Sequence, residues 1–143
     1  MGWSKPPTGF ANVVEQEQNK RLRAAALQAL EGVIERSPVD SGTFRGSHRV
    51  SVGSRDHGYS LSDKDKSGAA TMAKGSTTIQ TVRKPFEVIY VQSNLPYAEV
   101  IEFGQFTYKP GGKTTPNGYS IQAPSGTYAV TFNSLKEALN RGL

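Results

Sequence analysis

Few residues of this 143-residue chain could do chemistry, and their spacing decides what each could do. Gly112-Lys113-Thr114 has the ending of a phosphate-binding loop. That loop needs a glycine five positions before its Gly-Lys pair, where this chain has Thr107, and Pro110 and Pro116 flank the segment. A flexible basic loop is the better reading. The two histidines, His48 and His57, do not stand at zinc-site spacing, and with no cysteine in the chain there is no thiolate to complete such a site. Asp63-Lys64-Asp65 looks like part of a calcium loop but lacks its glycine and closing glutamate. Glu99 and Glu102 are three apart and would share one face of a helix. Paired carboxylates can do acid–base work, yet no histidine or metal-ligand companion accompanies them. Ser41 and Ser125 lie in turns, outside any Gly-x-Ser-x-Gly elbow. The expectation is a protein with no catalytic residues, no metal and no cofactor. Without cysteine, disulfides are excluded, which agrees with assembly in a reducing compartment.

The net charge of +5 fits contact with nucleic acid or an acidic surface, and it equally fits plain solubility, because the basic residues are spread along the chain. Lys64, Lys66, Lys74, Arg83 and Lys84 lie in or beside one long loop, and Lys109 and Lys113 in another; such loops could touch phosphates without reading sequence. No helix-turn-helix, zinc finger or RNA-binding aromatic motif is present. The N-terminus has no apolar run of signal-peptide length, and no stretch approaches the roughly 20 apolar residues of a membrane span.

The elements that must position these residues follow from patterning. Residues 1–9, with Pro6, Pro7 and Gly9, read as an extended arm, and residues 10–143 as one domain. Leu22, Ala25, Ala26, Ala29, Leu30, Val33 and Ile34 recur at helical spacing, so a helix is expected over about Phe10–Arg36, with Val14 on the same stripe. Glu17, Lys20, Arg21 and Arg23 form its polar face. Pro38 should stop it near Ser37. Residues 37–42 are a turn. His48, Val50 and Val52 alternate with Arg49 and Ser51 as a strand that buries one face on the helix. Residues 54–78 read as a long loop with at most one helical turn at Ala69–Lys74. Phe86–Ser93 is the best strand. Pro96 and Gly104 bracket a short helix, Tyr97–Phe103. A second loop follows from residue 105, its core at 105–118, and a helix over Thr127–Leu139 with Tyr128, Phe132, Leu135 and Leu139 on one stripe. Val130 and Phe132 would also suit the end of a strand. With 15 Gly and 8 Pro in the chain, the loops must be extensive. The fold class expected is α+β: a long N-terminal helix packed on a small, mostly antiparallel sheet, with a short helix, a C-terminal helix and long loops.

The order of these signals resembles a family. Ser37-Pro38-Val39-Asp40-Ser41-Gly42-Thr43-Phe44-Arg45-Gly46-Ser47 after a long amphipathic helix is similar to a signature of the tail-completion and head–tail joining (neck) proteins of long-tailed bacteriophages. Asn94 to Gly104, with Tyr97-Ala98-Glu99-Val100-Ile101-Glu102, resembles a second family segment, and Ala123-Pro124-Ser125-Gly126 before a helix resembles its ending. The likeness runs over residues 13–142, and the 54–78 insert fits the lambda-type branch. The resemblance implies a virion protein, not an enzyme, assembled in the host bacterial cytoplasm. It forms a ring of its own copies, six-fold to match the tail tube, between the tube or terminator protein and the head-closure protein, with non-specific DNA in the lumen as a further contact. Pro38, Val39, Asp40 and Gly42 would specify the turn, with Val39 plugging the core. Tyr97 and Phe103 would anchor the short helix and leave Glu99 and Glu102 outward. The candidate subunit interface is Tyr97, Glu99, Glu102, Phe106, Tyr108, Lys109 and Lys113, its carboxylates meeting a neighbour's Arg45, Lys109 or Lys113. Lys64, Lys66 and Lys74 are candidate contacts to neighbours or DNA. Two readings from other classes stand beside it: a small nucleic-acid-binding protein using the basic loops, and a small hydrolase.

Overall fold

The computed structural model describes residues 7–84 and 87–142, with side chains of the first helix described from residue 16 onward. The arm expected at 1–9 therefore lies mostly outside the described residues, as do Val14's side chain and the first residue of the expected 86–93 strand. Helix α1 spans Pro7–Glu35; Pro7 takes its first turn, where a missing N–H costs nothing, so residues 7–9 are helical rather than extended. Its apolar stripe is the expected one: Ala26, Ala29, Leu30, Val33 and Ile34 are all buried. The helix closes with Ser37, whose hydroxyl donates to Val33 O at 2.6 Å, and Pro38 prevents its continuation.

Strands β1 (His48–Val52) and β2 (Ile89–Ser93) pair antiparallel, with Val50 opposite Val91 and Val52 opposite Ile89. Val50, Ile89 and Val91 pack against Ala26, Leu30 and Ile34 of α1. The strand face expected to lie on the helix does so. The chain is thus an α+β fold built on a small antiparallel sheet.

Helix α2 spans Ala69–Ile79, eleven residues where a single turn was expected. Its first half, Ala69–Lys74, holds good helix formers but its second half, Gly75-Ser76-Thr77-Thr78, does not, and two tertiary features hold it. The carboxylate of Asp65 accepts from the N–H of Gly68 at 3.0 Å and of Thr71 at 2.8 Å, and from the Thr71 hydroxyl at 2.8 Å, satisfying donors that a helix start leaves orphaned. And Thr71, Gly75 and Ile79, four apart, form its buried edge. A Cβ on Gly75 would lie 2.3 Å from Leu30 Cδ2 and 2.9 Å from Val50 Cγ2, so α2 sits closer to α1 and β1 than any larger residue allows. Residues 54–68 are also tied down: Asn94 Nδ2 donates to Asp56 O and Gly58 O, Asp65 N to Gly42 O at 2.9 Å, and Arg49 pairs with Asp56 at 3.1 Å.

Helix α3 (Ala98–Phe103) ends at Gly104 with a positive φ of 67°, as expected. Phe44, Leu95 and Ile101 form a second core cluster, flanked by Tyr97, Ala98 and Phe106. Helix α4 spans Tyr128–Asn140, which settles that Val130 and Phe132 are helical. Its buried stripe, however, is Thr127, Thr131 and Leu135, while Phe132 and Leu139 are exposed. The helix is rotated from the expected phase because Thr131 fills the space opposite Gly32 of α1, its hydroxyl satisfied by Thr127 O at 2.6 Å.

Candidate functional site

The turn after α1 is where the sequence-selected residues meet. Gly42 has a φ of 89°, and a side chain there would strike the backbone of Lys66 at 2.8 Å, so both conformation and space require glycine. The turn then places Phe44 in the second core cluster, edge-on to His48 at 5.1 Å between ring centroids. Between this turn, α3 and the second loop lies a cavity of about 340 Å³, lined by Pro38, Val39, Asp40 and Gly42 and by Tyr97, Phe106 and Lys113. Gln122 closes it from below, accepting from Val39 N at 2.8 Å and donating to Val39 O at 3.0 Å. All four turn residues and three of the seven candidate interface residues therefore line one opening of mixed apolar and charged character.

Val39 does not plug the core. It is half-buried on the cavity wall, and the buried apolar residue of the turn is Phe44, 5 % exposed. Val39→Asp is accordingly expected to lower stability by no more than about 1 kcal/mol in a urea titration, the scale of a partly solvated position; a loss above about 3 kcal/mol would return Val39 to the core.

The remaining candidates scatter. Phe103 is 64 % exposed and anchors nothing in the monomer; Ile101 does that work. Glu99 faces solvent. Glu102 does not: its Oε2 accepts from the N–H of Thr127 at 2.8 Å, the N–H of Tyr128 at 2.9 Å and the Thr127 hydroxyl at 3.1 Å, and its Oε1 accepts from Ala129 N at 2.9 Å. It caps α4. Burial pushes its pKa up, but these four donors outweigh burial and hold it below the usual carboxylate range. Arg45 is also spent internally, donating to Lys66 O at 2.9 Å and Ser37 O at 3.0 Å. Tyr108 and Lys109 are exposed, and so is Lys66. Lys64 and Lys74 edge a separate polar cleft of about 380 Å³ that also holds Arg49, Asp56, Asp63 and Asp65. Both charge signs are mixed there.

One polar group was missed by residue spacing. His48, read from the alternation only as a strand residue, is 5 % exposed, with Nε2 at 2.5 Å from Ser37 Oγ and Nδ1 at 2.5 Å from Tyr128 Oη. The Ser37 hydroxyl spends its hydrogen on Val33 O, so His48 Nε2–H must donate to Ser37 and Tyr128 must donate to Nδ1. That leaves a neutral imidazole with both nitrogens satisfied. Burial, aided by the nearby charge of Arg45, lowers its pKa to about 3. A serine facing a histidine has the outline of a nucleophile and base, but this histidine holds its proton toward the serine and is sealed from solvent. It ties α1, β1 and α4 together instead. Nothing in local spacing reveals it, because its partners lie 11 and 80 residues away.

Among the described residues, no cluster of three or more His, Cys, Asp or Glu side chains could hold a metal ion, and no helix is long and apolar enough to cross a membrane. No protein-family model, no curated protein and no solved structure matches this chain.

Proposed function

We propose that this chain is a structural subunit of the neck of a long-tailed bacteriophage, forming a six-fold ring that completes the tail and joins it to the head. The observation that carries the reading is the meeting of the two family-like segments. The 37–47 and 94–104 segments are separated by the 46 residues 48–93, yet they share one core cluster through Phe44, Leu95 and Ile101 and together wall the 340 Å³ cavity. A ring of identical subunits joins through heterologous contacts, one surface of each copy meeting a different surface of the next, and this cavity, with Phe44 and Ile101 in its lining and the exposed Asp40 and Lys113 beside them, supplies one such surface.

Particles made without this chain are expected to accumulate as full heads beside separate tails of normal length in electron micrographs; intact particles would overturn the proposal. The cavity is tested separately. Lys113→Glu, at an exposed position, should leave the melting of the free subunit within about 0.5 kcal/mol of the parent and reduce in vitro head–tail joining at least tenfold. Undiminished joining would remove the cavity from the interface without touching the first result.

A further inference from the structure

The cations of this chain are unevenly distributed in the fold. Lys64 and Lys74 share their cleft with Asp56, Asp63 and Asp65. Lys20, Arg23, Arg83 and Lys84 do not. Asn19 Nδ2 donates to Arg83 O and Arg23 Nη1 to Val82 O, each at 2.8 Å, which fastens the segment after α2 onto the middle of α1. Arg83 Nη1 donates to the same Val82 carbonyl, also at 2.8 Å. Two guanidinium groups thus converge on one oxygen, with Lys20 on the next position of the α1 surface and Lys84 next along the chain. Among the described residues the ion pairs are those of Arg49 with Asp56 and Asp63, so no carboxylate of these residues lies within 4.0 Å of any of the four. From Gln18 to Leu30 α1 carries no acidic residue. The nearest in sequence are Glu17, three before Lys20 on the same helix but not ion-paired with it, and Glu87, three beyond Lys84. Lys20, Arg83 and Lys84 are exposed, and Arg23 is half-buried.

We propose that this cluster binds the phosphate backbone of double-stranded DNA without reading its sequence. Four cations held together with none of them ion-paired among the described residues leave a surplus of positive charge that a bridging anion stabilises, and a guanidinium that spends one N–H on a carbonyl keeps four for a phosphate. The surroundings separate nucleic acid from an acidic protein. A protein interface has an apolar centre inside a polar rim, whereas a DNA interface is polar and cationic. Here the neighbours along α1 are Gln16, Glu17 and Gln18, all polar, and none of the exposed large apolar side chains comes from residues 16–35 or 82–84. The site does not depend on the neck reading, and it is a different surface from the loops around Lys64, Lys66 and Lys74.

The test is fluorescence anisotropy of a labelled 20-base-pair duplex of random sequence, titrated with the full chain. Four phosphate contacts give a salt slope near −3.6, so affinity should fall about a hundredfold between 50 and 200 mM salt. The double variant Lys20→Gln, Lys84→Gln should halve the slope and lower affinity at 50 mM at least tenfold. Neither lysine side chain donates a hydrogen bond in the fold among the described residues, so its melting temperature should match the parent. Lys64→Gln with Lys74→Gln should bind as the parent does. No binding at 50 mM salt, binding indifferent to Lys20 and Lys84, or capture of polyglutamate in place of the duplex would each overturn the proposal.

Discussion

Replacing Glu102 by alanine is expected to remove about 3–4 kcal/mol of unfolding free energy, although a three-residue spacing from Glu99 makes the two look like equivalent surface carboxylates. The difference lies in what each carboxylate meets. Glu102 accepts from three consecutive backbone N–H groups, those of Thr127, Tyr128 and Ala129, and from one hydroxyl. These are the orphan donors at the start of α4, and the helix has no other side-chain cap there. A single lost cap typically costs about 1 kcal/mol and up to about 2. Here the acceptor is charged, lies at the positive end of a thirteen-residue helix, and serves several donors at once, so the larger figure follows. Thr127 is completely buried, so water cannot readily take the carboxylate's place. Glu102→Gln keeps one acceptor oxygen and should cost about half as much, while Glu99→Ala should stay within about 0.5 kcal/mol. Urea titrations at neutral pH separate the three. A Glu102→Ala chain within 1 kcal/mol of the parent would show that α4 does not need this cap. A subunit so destabilised would also assemble poorly, so a joining defect in it says nothing about an interface.

The parts of this fold that were legible in the sequence are those with apolar periodicity. The stripe from Ala26 to Ile34, the alternation of Val50 and Val52, and the bracketing of α3 by Pro96 and Gly104 each follow from local rules and are found in place. The rest is held by groups that carry no such periodicity. Helix α2 buries Thr71 and Gly75, which read as loop residues because neither counts as apolar; only their spacing of four with Ile79 hints at a face. The phase of α4 is set by a glycine on α1, residue 32, and so is invisible from α4 itself. Glu102 looks like a solvated carboxylate until the start of α4, 25 residues on, folds onto it, and Asp65 looks like one because the helix start it caps, only a few residues on, has no apolar periodicity of its own. For the candidate site, the turn is legible through Pro38 and Gly42, but the residue that it buries is not. Val39 and Phe44 are both apolar neighbours of a tight turn, and only the three-dimensional path shows which one faces Leu95 and Ile101.

Acid is expected to weaken this protein well above the pH at which carboxylates titrate, with His48 as the cause. Unfolded, the imidazole has its ordinary pKa of 6.5; folded, that value is lowered to about 3. Between those two values the unfolded chain holds a proton that the folded chain does not, so stability rises with pH across that window and is lost as pH falls through it. Each unit is worth about 1.4 kcal/mol. The loss is then roughly 2 kcal/mol by pH 5 and of order 4 kcal/mol near pH 3, a large part of the 5–15 kcal/mol typical of a domain. The lowered pKa has a structural origin. The imidazole is enclosed by Phe44 and Tyr128, and Tyr128 donates to Nδ1, where a second proton would have to go. Protonation would also set a cation beside Arg45. The carboxylates of Asp56, Asp65 and Glu102 are held below their ordinary values, so their contributions are present above the unfolded carboxylate range and are lost only in stronger acid. The interval from pH 6.5 to 5 therefore isolates His48. His48→Gln supplies a neutral amide able to donate toward Ser37; it should start 1–2 kcal/mol lower at pH 7 for its imperfect fit and then stay level down to pH 5. Thermal melts of parent and variant across that interval decide the matter. A parent curve as flat as that of the variant would mean that His48 takes up its proton without unfolding, and the buried, neutral imidazole joining α1, β1 and α4 would have to be abandoned.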